Sequence, residues 1–122
     1  MRFCFDIDGV IAEIRQPHQA YSEVRVISGA REYLRQLRSE GHIVILNTAR
    51  HMKTTNGNVA KVIAKEGKNL LDWLEKHDIE YDEILFGKPW ADVYVDDNAI
   101  RFSSWSELSS EDIFMNRNLS QE

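Results

Sequence analysis

Apolar residues along this chain switch between short continuous runs and helical spacing, and the switches predict alternating strands and helices. Arg2 to Ile7 is a mostly apolar run that stops at Asp8-Gly9, as a buried strand stops at a turn. Val10 to Ile14 and Val24 to Ile27 flank a polar stretch containing Pro17 and are expected to pair as a small hairpin. Ser28 reads as an N-cap, after which Tyr33, Leu34 and Leu37 recur at helical spacing until Gly41 ends the helix. His42 to Leu46 is the next buried strand. Asn47 to Asn58 is polar and contains an Asn-Gly turn signal. Val59 to His77 carries apolar residues at 59, 62, 63, 70, 71, 73 and 74 around Gly67, predicting two short helices or one interrupted helix. Glu83 to Phe86 is strand-like and is followed by the Gly87-Lys88-Pro89 turn. Asp92 to Val95 is expected to form a last strand, ending at Asp96-Asp97. The alternation predicts an α/β fold with a Rossmann-like parallel sheet sandwiched by helices.

Length and composition bound what such a sheet can be. A chain of 122 residues is the usual size of one domain, so 1–122 is expected to be a single unit, and 43% apolar content suffices for a core. One cysteine, Cys4, excludes an intramolecular disulfide and fits a reducing compartment. No window approaches the ~20 apolar residues of a spanning helix, and the apolar start runs only from Phe3 to Phe5 before Asp6. The expected chain is soluble and cytoplasmic. Its net charge of −5, from 20 acidic and 15 basic residues, offers no basic footprint for a nucleic-acid backbone and no reason to expect a membrane partner.

The chemistry concentrates where strands end. In Asp6-Ile7-Asp8-Gly9 two carboxylates are separated by one residue, so the period of two starts them on one face, converging beyond the sheet edge. Carboxylates so close repel unless a cation joins them, and an oxygen-loving divalent ion such as Mg²⁺ would do so while neutralising a phosphoryl group. One carboxylate can then act as nucleophile and the other as general acid and base. Gly9 permits a tight turn that aims backbone N–H groups at a phosphate. Read alone, Asp-x-Asp-Gly is equally a pair of strand-end turn acids. Three further strand ends or turns shift that balance: Thr48 offers a hydroxyl, Lys88 a positive charge, and Asp96-Asp97 a second acidic pair. In a parallel sheet those ends share one edge, where open α/β proteins place ligands.

The order Asp6-Ile7-Asp8-Gly9, Thr48, Lys88, Asp96-Asp97 resembles the four motifs of the haloacid-dehalogenase superfamily. Asn47-Thr48-Ala49-Arg50, Gly87-Lys88-Pro89-Trp90 and Val93-Tyr94-Val95-Asp96-Asp97-Asn98 are similar to its small capless phosphatases of bacterial capsule-polysaccharide biosynthesis. The resemblance implies a Mg²⁺-dependent phosphate monoester hydrolase working through an aspartyl-phosphate on Asp6. Asp6 would also ligate the metal, and Asp8 would be general acid and base and ligate the metal through its carbonyl. Thr48 and Lys88 would hold the phosphoryl group, with Gly9, Ala49 and Arg50 around the substrate. For the acidic pair, Asp97 is favoured as direct metal ligand and Asp96 as water-bridged or Lys88-paired partner. The segment between Val10 and Ile27 corresponds to the superfamily's squiggle and flap. The implied substrate is a phosphorylated sugar or similar small metabolite.

Larger superfamily members insert caps after the first motif or between the second and third. Here about twenty residues separate Asp8 from the first helix and about forty separate Thr48 from Lys88, and the expected elements consume most of them. No cap fits, so selectivity falls to the flap, the loop Arg50 to Asn58 or another subunit; the oligomeric state is not legible. Arg50 suits a fork onto a second anionic group of the substrate, or is a surface arginine. A phospho-aspartate signalling receiver has similar size and fold but places its acidic pair first and its acceptor aspartate at a middle strand, the reverse of the order here. A phosphatase acting on a macromolecule is a further alternative. The histidines at 18, 42, 51 and 77 lack metal-ligand spacing, and only His51, beside Arg50, invites a test. Cys4 reads as a core thiol. Trp73, Trp90 and Trp105 are core or lid-edge aromatics, with Trp90 close enough to Lys88 to line a pocket.

Overall fold

The computed structural model describes residues 1–108, which fall into two compact units, one covering Met1–Trp90 and one beginning at Ala91. In the first, β1 (Arg2–Asp6), β2 (Ile43–Thr48) and β3 (Glu83–Phe86) form a parallel sheet in the order β1-β2-β3. Phe3 aligns with Val44, Cys4 with Ile45, Ile45 with Glu83 and Thr48 with Phe86. Asp6 therefore ends β1 beside Asn47, one residue before Thr48 ends β2, and the β3 end delivers the turn carrying Lys88. The α/β class, with a parallel sheet flanked by helices, is as the apolar runs predict.

Helix α1 (Ala30–Ser39) buries Ala30, Leu34 and Leu37, the stripe expected from its spacing. Its N-cap position is occupied by Gly29 at φ 95°, a left-handed conformation that favours glycine, and no side chain caps the helix there. The cap expected at Ser28 is thus corrected by one residue, because the chain enters through the glycine. At the other end the Gly41 N–H donates to the Arg38 carbonyl and the His42 N–H to Leu37, both at 3.0 Å.

The stretch from Val59 to His77 is one continuous helical path. Helix α2 (Val59–Val62) is capped by Asn58, whose side chain accepts the Lys61 N–H, and passes through a wide π segment (Ile63–Gly67) into α3 (Lys68–Lys76). Such segments recur at functional sites, and this one turns Glu66 inward, where it is buried. Both crossovers step the same way across the sheet, so right-handed connections lay α1 and α3 on one face. Arg31 Nε ties them by donating to the His77 carbonyl at 2.6 Å. Val44 and Leu46 are fully buried, whereas Cys4 and Leu85 of the opposite face are exposed. Cys4 is therefore corrected from core to surface, its register placing it on that face.

The expected hairpin forms as a minimal antiparallel contact. Ala12 pairs with Val26, the Glu13 N–H donates to Arg25 at 2.9 Å, and the Ile27 N–H to Ile11 at 2.8 Å. Trp73 pins this segment to α3 through its Nε1–H, which donates to the Val24 carbonyl at 3.0 Å.

In the second unit Asp92 to Val95 is irregular backbone, which corrects the expected fourth strand. The same unit contains an edge-on contact between the Phe102 and Trp105 rings, 5.2 Å apart. Among the described residues no helix is long and apolar enough to cross a membrane.

Candidate active site

The carboxyl end of β1 places Asp6 at the sheet edge. Its Oδ1 accepts the Ile7 N–H at 3.0 Å, and its Oδ2 lies 3.6 Å from Lys88 Nζ. Burial pushes the Asp6 carboxyl above its ordinary pKa, Lys88 and the Ile7 N–H oppose that shift, and the charge of Asp8 adds to it. Lys88 reaches Asp6 because its turn is fastened to β2: the Thr48 carbonyl accepts both the Gly87 N–H at 3.2 Å and the Lys88 N–H at 3.1 Å. Gly87 is required there. Its φ is 104°, and an added Cβ would fall 2.9 Å from Val59 Cγ2.

Thr48 is fully buried and its Oγ1 accepts the Arg50 N–H at 3.1 Å, leaving the hydroxyl proton to donate elsewhere. Around Asp6 and Asp8 a cleft of about 240 Å³ is lined also by Tyr21, Ala49, Arg50, His51, Lys53, Thr54 and Trp90. Thr48 does not line it. The Gly9 turn forms at φ 90°, yet its N–H donates to Ala12 at 2.8 Å, while those of Val10, Ile11 and Ala12 all converge on the Ile7 carbonyl. These four N–H groups are engaged within the turn rather than aimed outward.

Arg50 is placed differently from a substrate fork. Its Nε donates to both oxygens of Asp8, at 3.2 and 3.0 Å, and its Nη2 to Oδ1 at 2.8 Å. Nη1 donates to Glu66 at 3.2 Å, the other Glu66 oxygen meets His51 Nε2 at 3.0 Å, and the guanidinium carbon sits 4.0 Å from the Tyr21 ring centre. The Arg50 side chain is 1% exposed and that of Glu66 4%. Sequence reading missed Glu66 and Tyr21. The one available signal was an acid beside Gly67 at the break in an otherwise regular helix. Trp90 does line the cleft, 53% exposed, with Lys53 Nζ 4.6 Å from its ring centre.

A larger groove of about 1040 Å³ runs along Ser22–Glu32 and Lys76–His77 and contains neither Asp6 nor Asp8. Two other histidines make structural contacts: His42 meets the Phe3 ring and the N-terminal amine, and His77 packs on Trp73.

The residues at the β1 end suit a hard divalent cation. Asp6 and Asp8 are oxygen donors, and a cation would offset the burial that disfavours the Asp6 carboxylate. Among the described residues of the first unit no three His, Cys, Asp or Glu side chains form a ready-made metal cluster. Asp96 and Asp97 belong to the second unit and are exposed there, with Asp96 Oδ1 accepting the Asn98 N–H at 3.2 Å. That bond holds the Asp96 carboxyl below its ordinary pKa.

Comparison with known proteins gives three findings. A profile of the family described as 5′ nucleotidase, deoxy (pyrimidine), cytosolic type C protein (NT5C) matches residues 15–119, starting downstream of Asp6 and Asp8. The crystal structure of an MCSG target from Vibrio cholerae is similar over 99% of this chain and 98% of its own, with 31% identity and a TM-score of 0.84. A chain of the Pnkp1/Rnl/Hen1 complex matches 80% of this chain and 30% of its own, at 23% identity and a TM-score of 0.47, too distant to carry weight. No curated protein matches.

Proposed function

The chain belongs to the 5′ nucleotidase, deoxy (pyrimidine), cytosolic type C family of haloacid-dehalogenase-type phosphoric monoester hydrolases, and from that premise we propose that it hydrolyses nucleoside monophosphates through Asp6. The observation carrying this reading is the cleft in which Asp6, with Lys88 Nζ 3.6 Å from its Oδ2, shares one surface with the half-exposed Trp90. A carboxylate beside a lysine suits attack on phosphorus, and an open aromatic face suits a nucleobase.

In the proposed reaction an Asp6 oxygen attacks phosphorus, the ester P–O bond breaks, and the departing oxygen takes a proton from Asp8. Water then attacks the aspartyl-phosphate, giving its proton to Asp8, and inorganic phosphate leaves with Asp6 restored. Lys88 balances negative charge at Asp6 and on the phosphoryl oxygens, while Thr48, buried outside the cleft, supports the loop through the Arg50 N–H that its Oγ1 accepts. Mg²⁺ is the expected cofactor, which Asp6 and the Asp8 carbonyl would hold in the first unit, and when bound it would supply charge neutralisation. A setting in polysaccharide biosynthesis draws no support from the family match, whose description names nucleotides.

The test is phosphate release by the purified protein with Mg²⁺ from deoxynucleoside and ribonucleoside 5′-monophosphates, ribose 5-phosphate and other sugar phosphates. Stacking of a base on an aromatic ring is worth about 1–3 kcal/mol, so kcat/KM should favour nucleotides over ribose 5-phosphate by roughly 5- to 150-fold. Preference for sugar phosphates would overturn the nucleotide assignment, and release undiminished by Asp6→Ala would overturn the site.

A further inference from the structure

We propose that Arg50 is a positioning residue for Asp8 rather than a contact for substrate, and that Glu66 holds Arg50 in that posture. The inference rests on the phosphatase reading above, because it assigns a task within it.

Arg50 lines the cleft, but its side chain is 1% exposed and its nitrogens are engaged with Asp8 and Glu66. Every contact of the guanidinium points the same way. Two nitrogens grip Asp8 from Arg50 through three bonds of 2.8–3.2 Å, a two-point fork that fixes the direction of the carboxylate and not merely its place. The third nitrogen is anchored on Glu66, and the Tyr21 ring covers the flat face at 4.0 Å. Glu66 reaches this point because the π segment widens the helix there and turns the acid inward, where its second oxygen meets His51. A buried acid needs such partners to remain charged.

The arrangement has a chemical use. Asp8 must address the leaving oxygen in one half-reaction and water in the other, and its carboxylate sits two residues beyond a strand end, where the backbone no longer dictates side-chain direction. The fork supplies that direction while leaving Asp8 partly open to the cleft, its side chain 29% exposed. Lysine at position 50 would keep a positive charge but lose the planar two-point grip.

A double-mutant cycle with a nucleoside 5′-monophosphate, whose leaving oxygen needs the Asp8 proton, tests this. Misplacement of a catalytic group by about 1 Å costs on the order of 100-fold, so Arg50→Lys should lower kcat by roughly that factor with KM little changed. Glu66→Gln should lower kcat in the same direction by less. In the Asp8→Asn background Arg50→Lys should add no more than about twofold, because a residue acting through Asp8 has nothing left to position. Equal losses in both backgrounds, or a raised KM with kcat preserved, would overturn the proposal and make Arg50 a substrate contact. A readout independent of turnover is the Arg50 Nε–H resonance of the folded protein, expected to be shielded from solvent exchange and to move in Asp8→Asn and Glu66→Gln. An exchanging resonance indifferent to both would also overturn it. Absence of any phosphatase activity would defeat the functional reading instead, with the resonance still deciding whether Arg50 grips Asp8.

Discussion

Replacing Glu66 by alanine should destabilise the protein far more than an ordinary helix substitution. Glu66 is 4% exposed and accepts from Arg50 Nη1 at 3.2 Å and meets His51 Nε2 at 3.0 Å. Removing one partner of a buried ion pair costs about 3–5 kcal/mol, because the surviving charge stays desolvated without its counterion. Here Arg50 keeps Asp8, so the lower end, about 3 kcal/mol, is expected. At roughly 4–8 °C per kcal/mol for a unit of 60–100 residues, Tm should fall by about 12–24 °C. Thermal unfolding followed by far-ultraviolet circular dichroism gives the shift, and urea titration with an unchanged m-value confirms that the folded state is what weakened. Glu75→Ala, at an exposed position of α3, should stay within about 0.5 kcal/mol. A loss below about 1 kcal/mol for Glu66→Ala would refute the reasoning, since it would mean that the Arg50 charge is not dependent on Glu66.

Further outcomes follow from the same geometry. Asp8→Asn should damage hydrolysis of nucleoside or sugar phosphates, whose leaving oxygen needs a proton, more than that of an activated aryl phosphate, and equal losses would argue against the acid role. Chelation should silence turnover reversibly, and Asp97→Asn should raise the Mg²⁺ concentration for half activity more than Asp96→Asn; the reverse ranking would exchange their roles. Trp90→Ala should raise KM for a nucleoside monophosphate and leave that for ribose 5-phosphate unaltered, a split that a general loss of the cleft would not produce. Asp82 accepts the Val44 N–H at 2.8 Å and is held by Arg38, which together lower its pKa below the ordinary 3.8. Its stabilisation is then complete above that value and lost as pH falls through the lower folded pKa. Urea midpoints measured downward from pH 5 should fall more steeply in the parent protein than in Asp82→Asn.

The three strands and α1 were legible because each is specified locally: continuous apolar runs of three or four residues in one case, a helical stripe at Leu34 and Leu37 in the other. The expected strand at Asp92 to Val95 carried a similar pattern but is irregular backbone, because an apolar alternation is only a weak local signal for a strand. The strand-end chemistry was legible in kind. Asp6 and Lys88 meet across 82 residues because a parallel sheet gathers its strand ends. What escaped was partnership. That Arg50 would turn to Asp8 and Glu66, 42 and 16 residues away, depends on a π segment whose position the apolar spacing marks as a break but whose inward turn of Glu66 it does not give. The same holds for the Gly9 turn, whose glycine was foreseen and whose N–H groups close on their own backbone.

The central claim is that Asp6 carries the phosphoryl group. Acid quenching during turnover of a ³²P-labelled nucleoside monophosphate, followed by proteolysis and peptide mapping, measures this directly. The account predicts an acid-stable, hydroxylamine-labile label on the peptide containing Phe5-Asp6-Ile7-Asp8, absent in Asp6→Ala, which should also release no phosphate. Label on a different residue, or sustained phosphate release by Asp6→Ala, would contradict it.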